Sequence, residues 1–335
     1  SVSPDSILAN VQRLQDFVTR NSYHDSCYAA AEWIFDKFVG LGLDSVYCES
    51  IPTSPPIPPN IVGIKHGTMY PDSCYTIICG HFDALVPFLP DTAPGADDNA
   101  SGVAAVLEAA RIMNEYQFEV NIRFIALSNE EQGMDGSWFY AWNASQQGHD
   151  IHAVYNMDMI AYVDAHPESV DVCGDTFCEP LIDHFIACAD TYTTLLTAKR
   201  LGLVLADEWP FQFYGFQAIL TIEDWPETNP HKHTPADTIG AGFNNLTFCT
   251  EVVMANIAAL ASSSVPVGIV EKEKYHAKKI VLYPTIVTGV FMLPTDKKYS
   301  IYDITGRVVS PDRLRPGIYF VEIDGVITQK IIKLK

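Results

Sequence analysis

At 335 residues, 48% of them hydrophobic, the chain is long enough for one large buried core and a smaller second one. Its formal net charge of −20 argues against nucleic acid or an anionic membrane surface as partner. The acidity is uneven: residues 1–265 hold 9 Lys+Arg against 34 Asp+Glu, whereas 266–335 hold 12 against 7, a net of −25 against +5 that suggests two domains.

In chain order, 6–19 and 25–41 read as amphipathic helices and 45–51 as a short strand. A proline-rich connector, 52–59, leads to strands at 60–66 and 75–80. The run Thr76-Ile77-Ile78-Cys79 is apolar on both faces, as in a parallel sheet covered by helices. A Pro-Gly turn with Asp97 and Asp98 then opens a helix whose Val103, Val106, Leu107, Ala110 and Met113 recur at helical spacing. A strand at 120–127, a helix at about 136–147, strands at 152–157 and 170–172, a helix at 180–189, a strand at 217–222 and a closing helix at 243–262 follow. This alternation predicts an α/β fold, a three-layer αβα sandwich around a mainly parallel sheet, over 1–265. A linker at 266–280 and a small all-β C-terminal domain at 281–335 complete the expected plan, with a hairpin turn at Asp324-Gly325. The apolar stretch 252–270 is interrupted by Asn256, three serines and Pro266, so it reads as a buried helix and linker, with no membrane span. The polar opening helix has no signal-peptide character, which leaves a cytosolic protein or one whose signal has been removed. Of eight cysteines none stands in CxxC spacing, and Cys173 and Cys178, flanking a turn, are placed to pair.

Polar chemistry recurs at the strand ends. His81 and Asp83 close one strand, Glu130 and Glu131 follow the next, Asp158 follows a third, and His233 and Asp237 lie beyond the last. In a parallel sheet these ends share one crevice. Imidazole and carboxylate without thiolate suit catalytic zinc. Taken with Asp97, the residues His81, Glu131, Asp158 and His233 make five ligands, which fits two metals sharing a bridging carboxylate, about 3.5–4 Å apart. Adjacent Glu130 and Glu131 point different ways, so one is expected to bind metal while the other handles the proton of a water. Asp83, two residues from His81 on extended chain, can fix its tautomer, and Asp237 is the corresponding candidate for His233.

These segments, Gly80-His81-Phe82-Asp83, residues 94–102 around Asp97-Asp98, Asn129-Glu130-Glu131-Gln132-Gly133, Asn156-Met157-Asp158-Met159 and His233-Thr234-Pro235-Ala236-Asp237-Thr238, together resemble the co-catalytic di-zinc exopeptidases. That family includes leucyl-type aminopeptidases, glutamate carboxypeptidases and glutaminyl cyclases. The resemblance implies two Zn2+ ions bridged by Asp97, with His81 and Asp158 on one and Glu131 and His233 on the other. It implies Glu130 as general base, and Asp98 behind the ligands after a strained 97–98 peptide bond. Family aminopeptidases often carry a Ser-Asp-His segment and a disulfide loop with a Tyr. The comparable stretch here, 202–208, has neither, so Tyr214 is the substitute candidate for assisting the tetrahedral intermediate. Lys232 stands where a Tyr is frequent.

A carboxypeptidase needs an Arg fork for a free carboxylate, whereas an aminopeptidase needs carboxylates for an ammonium. Among the nine basic residues of 1–265 only Lys232 abuts a ligand, while Glu130, Asp158, Asp207, Glu208 and Glu223 supply a surplus of acid. The expected activity is therefore removal of the N-terminal residue from peptides. The alternatives are a carboxypeptidase, a glutaminyl cyclase, or a surface binding protein with a structural metal site. In the tail, Leu282-Tyr283-Pro284, residues 302–309 and 314–321 and the closing Lys330-Ile331-Ile332-Lys333-Leu334-Lys335 resemble the sorting domain of type IX-secreted bacterial proteins. The resemblance implies an exported, cell-surface or secreted protein with the secretion machinery as a partner.

Overall fold

The computed structural model describes residues 1–164, 169–226 and 228–264, and in the tail 286–287, 299–303, 307–310, 314, 317–323 and 326–333. The expected linker at 266–280 and the Asp324-Gly325 turn lie outside the described residues. Two compact units divide the chain, Ser1–Val267 and Gly268–Lys335.

The first unit is built on an eight-stranded sheet in the order β1-β2-β4-β3-β5-β8-β6-β7. Its strands are β1 Ser45–Glu49, β2 Asn60–Lys65, β3 Cys74–His81, β4 Asn121–Leu127, β5 Asp150–Met157, β6 Ser169–Gly174, β7 Leu196–Leu201 and β8 Ala218–Ile222. The central pairs β3–β4, β3–β5 and β5–β8 are parallel, as is β6–β7 at one edge. The β1–β2, β2–β4 and β6–β8 pairs are antiparallel. β3 and β4 are buried along their whole length. Their side chains alternate between two cores, as the two-residue period of a strand requires. Ile78, Ile122, Phe124 and Ala126 enter one core, and Tyr75, Ile77, Cys79, Ile125 and Leu127 the other.

The larger core is completed by α1 Pro4–Gln15, α2 Asp25–Gly40, α3 Ala100–Met113, α5 Glu179–Tyr192 and α7 Leu246–Ser264. The smaller one is covered by α4 Asp135–Gln146 and α6 Glu208–Phe213. The fold is thus the three-layer αβα arrangement, with helices on both faces of a mainly parallel sheet. By length and composition alone α7 could cross a membrane. Its Phe248, Val252, Val253, Ile257 and Leu260 are instead buried in the larger core, where α7 packs on α5, β3 and β5.

The expected Cys173–Cys178 bridge does not form; both thiols are free and buried. Cys173 packs with Met159, Ala206 and Leu220, whereas Cys178 belongs to the larger core, so the two thiols lie in separate clusters.

In the second unit, β9 Ile286–Val287, β10 Tyr299–Asp303, β11 Val308–Val309, β12 Gly317–Ile323 and β13 Val326–Lys333 form a five-stranded sheet in the order β11-β10-β12-β13-β9. All its pairs are antiparallel except β13–β9. Among the described residues the expected all-β domain is represented by this one sheet.

Candidate metal centre

β3 is the strand at which the sheet order reverses: the chain passes from β3 to β4 on one side and then to β5 on the other. A crevice opens at such a switch point, beyond the C-terminal strand ends. His81 is the last residue of β3, Glu130 and Glu131 follow β4, and Asp158 follows β5. The loop before α3 enters the same crevice. It is brought close because Gly102, in the first turn of α3, packs without a side chain against the Met157 carbonyl. Asn99 caps the helix, its Oδ1 accepting from Gly102 N at 2.9 Å while its Nδ2 donates to Met157 O at 2.8 Å. Gly95 turns the loop with φ +52°, a conformation that favours glycine.

Two groups of ligand-type side chains converge there: His81, Asp98 and Asp158, and then Asp98, Glu131 and His233. His81 Nε2 lies 3.3 Å from Asp158 Oδ1 and 3.5 Å from Asp98 Oδ1. His233 Nε2 lies 3.2 Å from the other Asp98 oxygen and 2.8 Å from Glu131 Oε2. Asp98 therefore stands between the two groups with one oxygen toward each. Glu130 Oε2 sits 3.9 Å from His81 Nε2. A cavity of about 200 Å³ is lined by Asp98, Glu130, Glu131, Asp158, Lys232 and His233, with an apolar wall of Leu205, Ala206, Leu220 and Ile222.

The position between the two groups, expected of Asp97, is held by Asp98. Asp97 turns away, Oδ1 accepting from Ala161 N at 2.9 Å and Oδ2 from Asn229 Nδ2 at 2.9 Å. The unusual peptide bond is one residue later than expected: Asp98–Asn99 is cis. Asp237 does not serve His233 as expected. Its two oxygens accept from the Asp97 and Asp98 amides, each at 3.0 Å. Asp83 does lie on His81, with its backbone O 3.2 Å and its Oδ1 3.5 Å from Nδ1. It also accepts from the Glu130 and Glu131 amides at 3.0 and 3.2 Å and from Ser22 Oγ at 3.2 Å.

The four residues expected at the substrate divide. Lys232 lines the cavity. Glu208 is buried and accepts from the Leu205 and Ala206 amides at 2.7 and 3.2 Å, so it shapes the apolar wall from behind. Asp207 is buried, bound by Ser137 Oγ at 2.5 Å. Tyr214 packs edge-on against Trp138 at 6.2 Å, away from the cavity lining. Arg20 lies beyond α1 and is fully buried. Its guanidinium donates to the Leu14, Phe82, Pro94 and Gly95 carbonyls, tying the end of β3 to the loop that carries Asp98.

Burial and mutual repulsion push the two adjacent glutamates upward. Glu131 rises to about 8, from burial and then from Asp98. Glu130 is driven well above its usual range by burial, with Asp158 and Asp207 adding to it. The Asp98 and Glu131 contacts lift His233 to about 10. Asp98 is held below its usual value despite burial, chiefly by His233. Its Oδ2, with Glu131 Oε1 and His233 Nε2, is buried with no hydrogen-bond partner among the described residues. Such a set fits a bound cation, which would satisfy the oxygens and displace the imidazole proton. Asn129, Met159 and His233 all have positive φ at this site. Residues held in that region of backbone space concentrate where surroundings fix a functional geometry.

Leucine aminopeptidase 1 of Fusarium vanettenii is 30% identical to this chain over 257 residues, covering 69% of this chain and 63% of that protein. The chain spans somewhat under two-thirds of the length of the curated relatives it matches first. LapB of Legionella pneumophila shares the fold, with TM-score 0.70 at 22% identity over 79% of this chain and 73% of that one. A glutaminyl cyclase of Bacteroides thetaiotaomicron also shares it, with TM-score 0.58 at 18% identity over 79% and 98%. Residues 60–255 match the profile of peptidase family M28. That stretch runs from the first residue of β2 into α7 and holds both ligand groups and Glu130, and the chain belongs to peptidase family M28.

Proposed function

We propose that this chain is a two-zinc aminopeptidase. The observation that carries the reading is Asp98, buried and offering one oxygen to each of two ligand groups. His81, Asp98 and Asp158 would hold one ion, and Asp98, Glu131 and His233 the other. Zinc supplies Lewis acidity, polarising a carbonyl and acidifying water at neutral pH. Glu130 is left over from both groups and faces the cavity. Its Oε2 takes the proton of the attacking water and returns it to the leaving amine. Asp83 holds the Glu130 amide and the His81 ring together, so base and ligand keep a fixed relation. The carboxylate-rich floor suits a free ammonium. Leu205, Ala206, Leu220 and Ile222 offer contact to an apolar N-terminal side chain. Among the described residues no arginine lines the cavity, which disfavours recognition of a C-terminal carboxylate.

Peptides with a free α-amine should be cleaved, N-acetylation should abolish cleavage, and C-terminal amidation should leave it intact. Cleavage of acetylated but not amidated peptides would replace this reading with a carboxypeptidase. Ammonia release from an N-terminal glutaminyl peptide, without cleavage, would replace it with a cyclase.

We also propose that the basic tail directs export through a type IX-type machinery. Its motif resemblance and its charge contrast with 1–265 support this. Deleting 266–335 should retain the protein inside a bacterium possessing that machinery; unchanged export would refute it.

A further inference from the structure

At the other end of the central strand three side chains of different chemistry converge. Cys74 opens β3, and its Sγ lies 3.2 Å from His152 Nε2. Asp150 Oδ2 lies 3.5 Å from the same nitrogen. The three donor atoms all fall within 4.8 Å of one another. The backbone builds this meeting. β3 and β5 pair with Cys74 opposite Asp150 and Tyr75 opposite Ile151, but Thr76 faces Ala153, so His152 is an extra residue in the ladder. An insertion of this kind re-aims a side chain. The Tyr70 ring then packs edge-on to the imidazole at 6.1 Å.

Hydrogen bonding explains the cluster poorly. A thiol and a carboxylate both close on Nε2, whose single in-plane position either donates to the carboxylate or accepts the thiol proton, and cannot do both. A metal ion would use all three. Tetrahedral bonds of about 2.0–2.3 Å place ligand atoms roughly 3.3–3.6 Å apart, close to the 3.2 and 3.5 Å that separate Cys74 Sγ and Asp150 Oδ2 from His152 Nε2. We propose that Cys74, Asp150 and His152 form a separate site for one zinc-like divalent cation, with solvent as the fourth ligand. Sulfur and imidazole select such an ion over calcium or magnesium. On binding, the Cys74 S–H bond breaks, its proton leaves to solvent, and the sulfur–metal bond forms. Cys74 and His81 are seven residues apart, about 23 Å along the strand, so the two ends of β3 cannot share a ligand.

Cobalt(II) separates the two sites, because the carboxylate centre offers only nitrogen and oxygen. The full-length protein loaded with cobalt should show near-ultraviolet thiolate-to-cobalt absorption. Cys74→Ser and His152→Ala should each lose it, while Cys48→Ser, at the exposed cysteine, should keep it. Equilibrium dialysis should find one zinc fewer in His152→Ala. His152 is exposed, so that variant decides the matter even where Cys74→Ser folds poorly. Absence of the absorption from the wild type, or its survival in His152→Ala, would overturn the site.

Discussion

Two turns of the carboxylate centre are clamped in the same way, yet they differ in what the clamp also holds. Asp83 accepts from the successive amides of Glu130 and Glu131, and Asp237 from those of Asp97 and Asp98. Asp83 additionally faces the ring nitrogen of His81. Asp237 reaches no ligand side chain in this way; its carboxylate, lifted by burial to about 7, is spent on backbone. The first clamp thus fixes a turn and a ligand together, and the second fixes a turn alone. Removing them should have different consequences.

The largest effect belongs to the residue the first clamp positions. Glu130→Gln should lose at least ~100-fold in turnover while keeping its metal, the scale of a lost general base. Near-normal turnover with full metal content would remove Glu130 from that role. Next in size are the clamps themselves. Asp83→Asn should weaken zinc binding about 10- to 100-fold, because His81 loses its orienting partner. Asp237→Asn should instead lower unfolding stability by about 1–3 kcal/mol, since an amide N–H group would face a backbone donor. Titrating zinc into both variants, beside their denaturant curves, tests the contrast. It collapses if Asp237→Asn weakens zinc as much as Asp83→Asn does.

The smallest effect concerns Glu208, which clamps backbone without holding a ligand turn. Burial lifts it to about 7, above its value in the unfolded chain. Its protonated form therefore favours the fold, with stability present at acid pH and lost as pH rises through about 7. Metal-free protein should lose thermal stability between about pH 4.5 and 7, and Glu208→Gln should flatten that slope. An unchanged slope in the variant would assign the pH dependence to other groups.

The sheet and most ligands were legible because they rest on local pattern. Apolar runs mark β3 and β4, and His81, Glu130, Glu131 and Asp158 stand at strand ends, whereas Asp98 and His233 sit on longer loops. Two elements were hidden. β7 carries Lys199 and Arg200 and is largely exposed, held by pairing with β6 and by Lys199 and Arg200 contacts to Glu179, Asp183 and Asp171. α6 is six residues long with Pro210 inside it, too short to display a period. The choice between Asp97 and Asp98 was hidden for another reason. Neighbouring carboxylates differ in direction but not in sequence signal. Their roles are set by Ala161, Asn229 and Asp237, which lie 64 to 140 residues away. Arg20 was missed because a lone basic residue after a helix reads as surface, while four backbone carbonyls bury it here.

The central claim is that Asp98, and not its neighbour, joins the two ligand groups. Zinc content per folded chain tests it most directly, measured on the wild type, Asp98→Ala and Asp97→Ala at matched zinc concentration after His152→Ala has removed the Cys74 site. The parent should hold two ions, Asp97→Ala close to two, and Asp98→Ala less than one. Two ions retained by Asp98→Ala, with loss in Asp97→Ala, would contradict it.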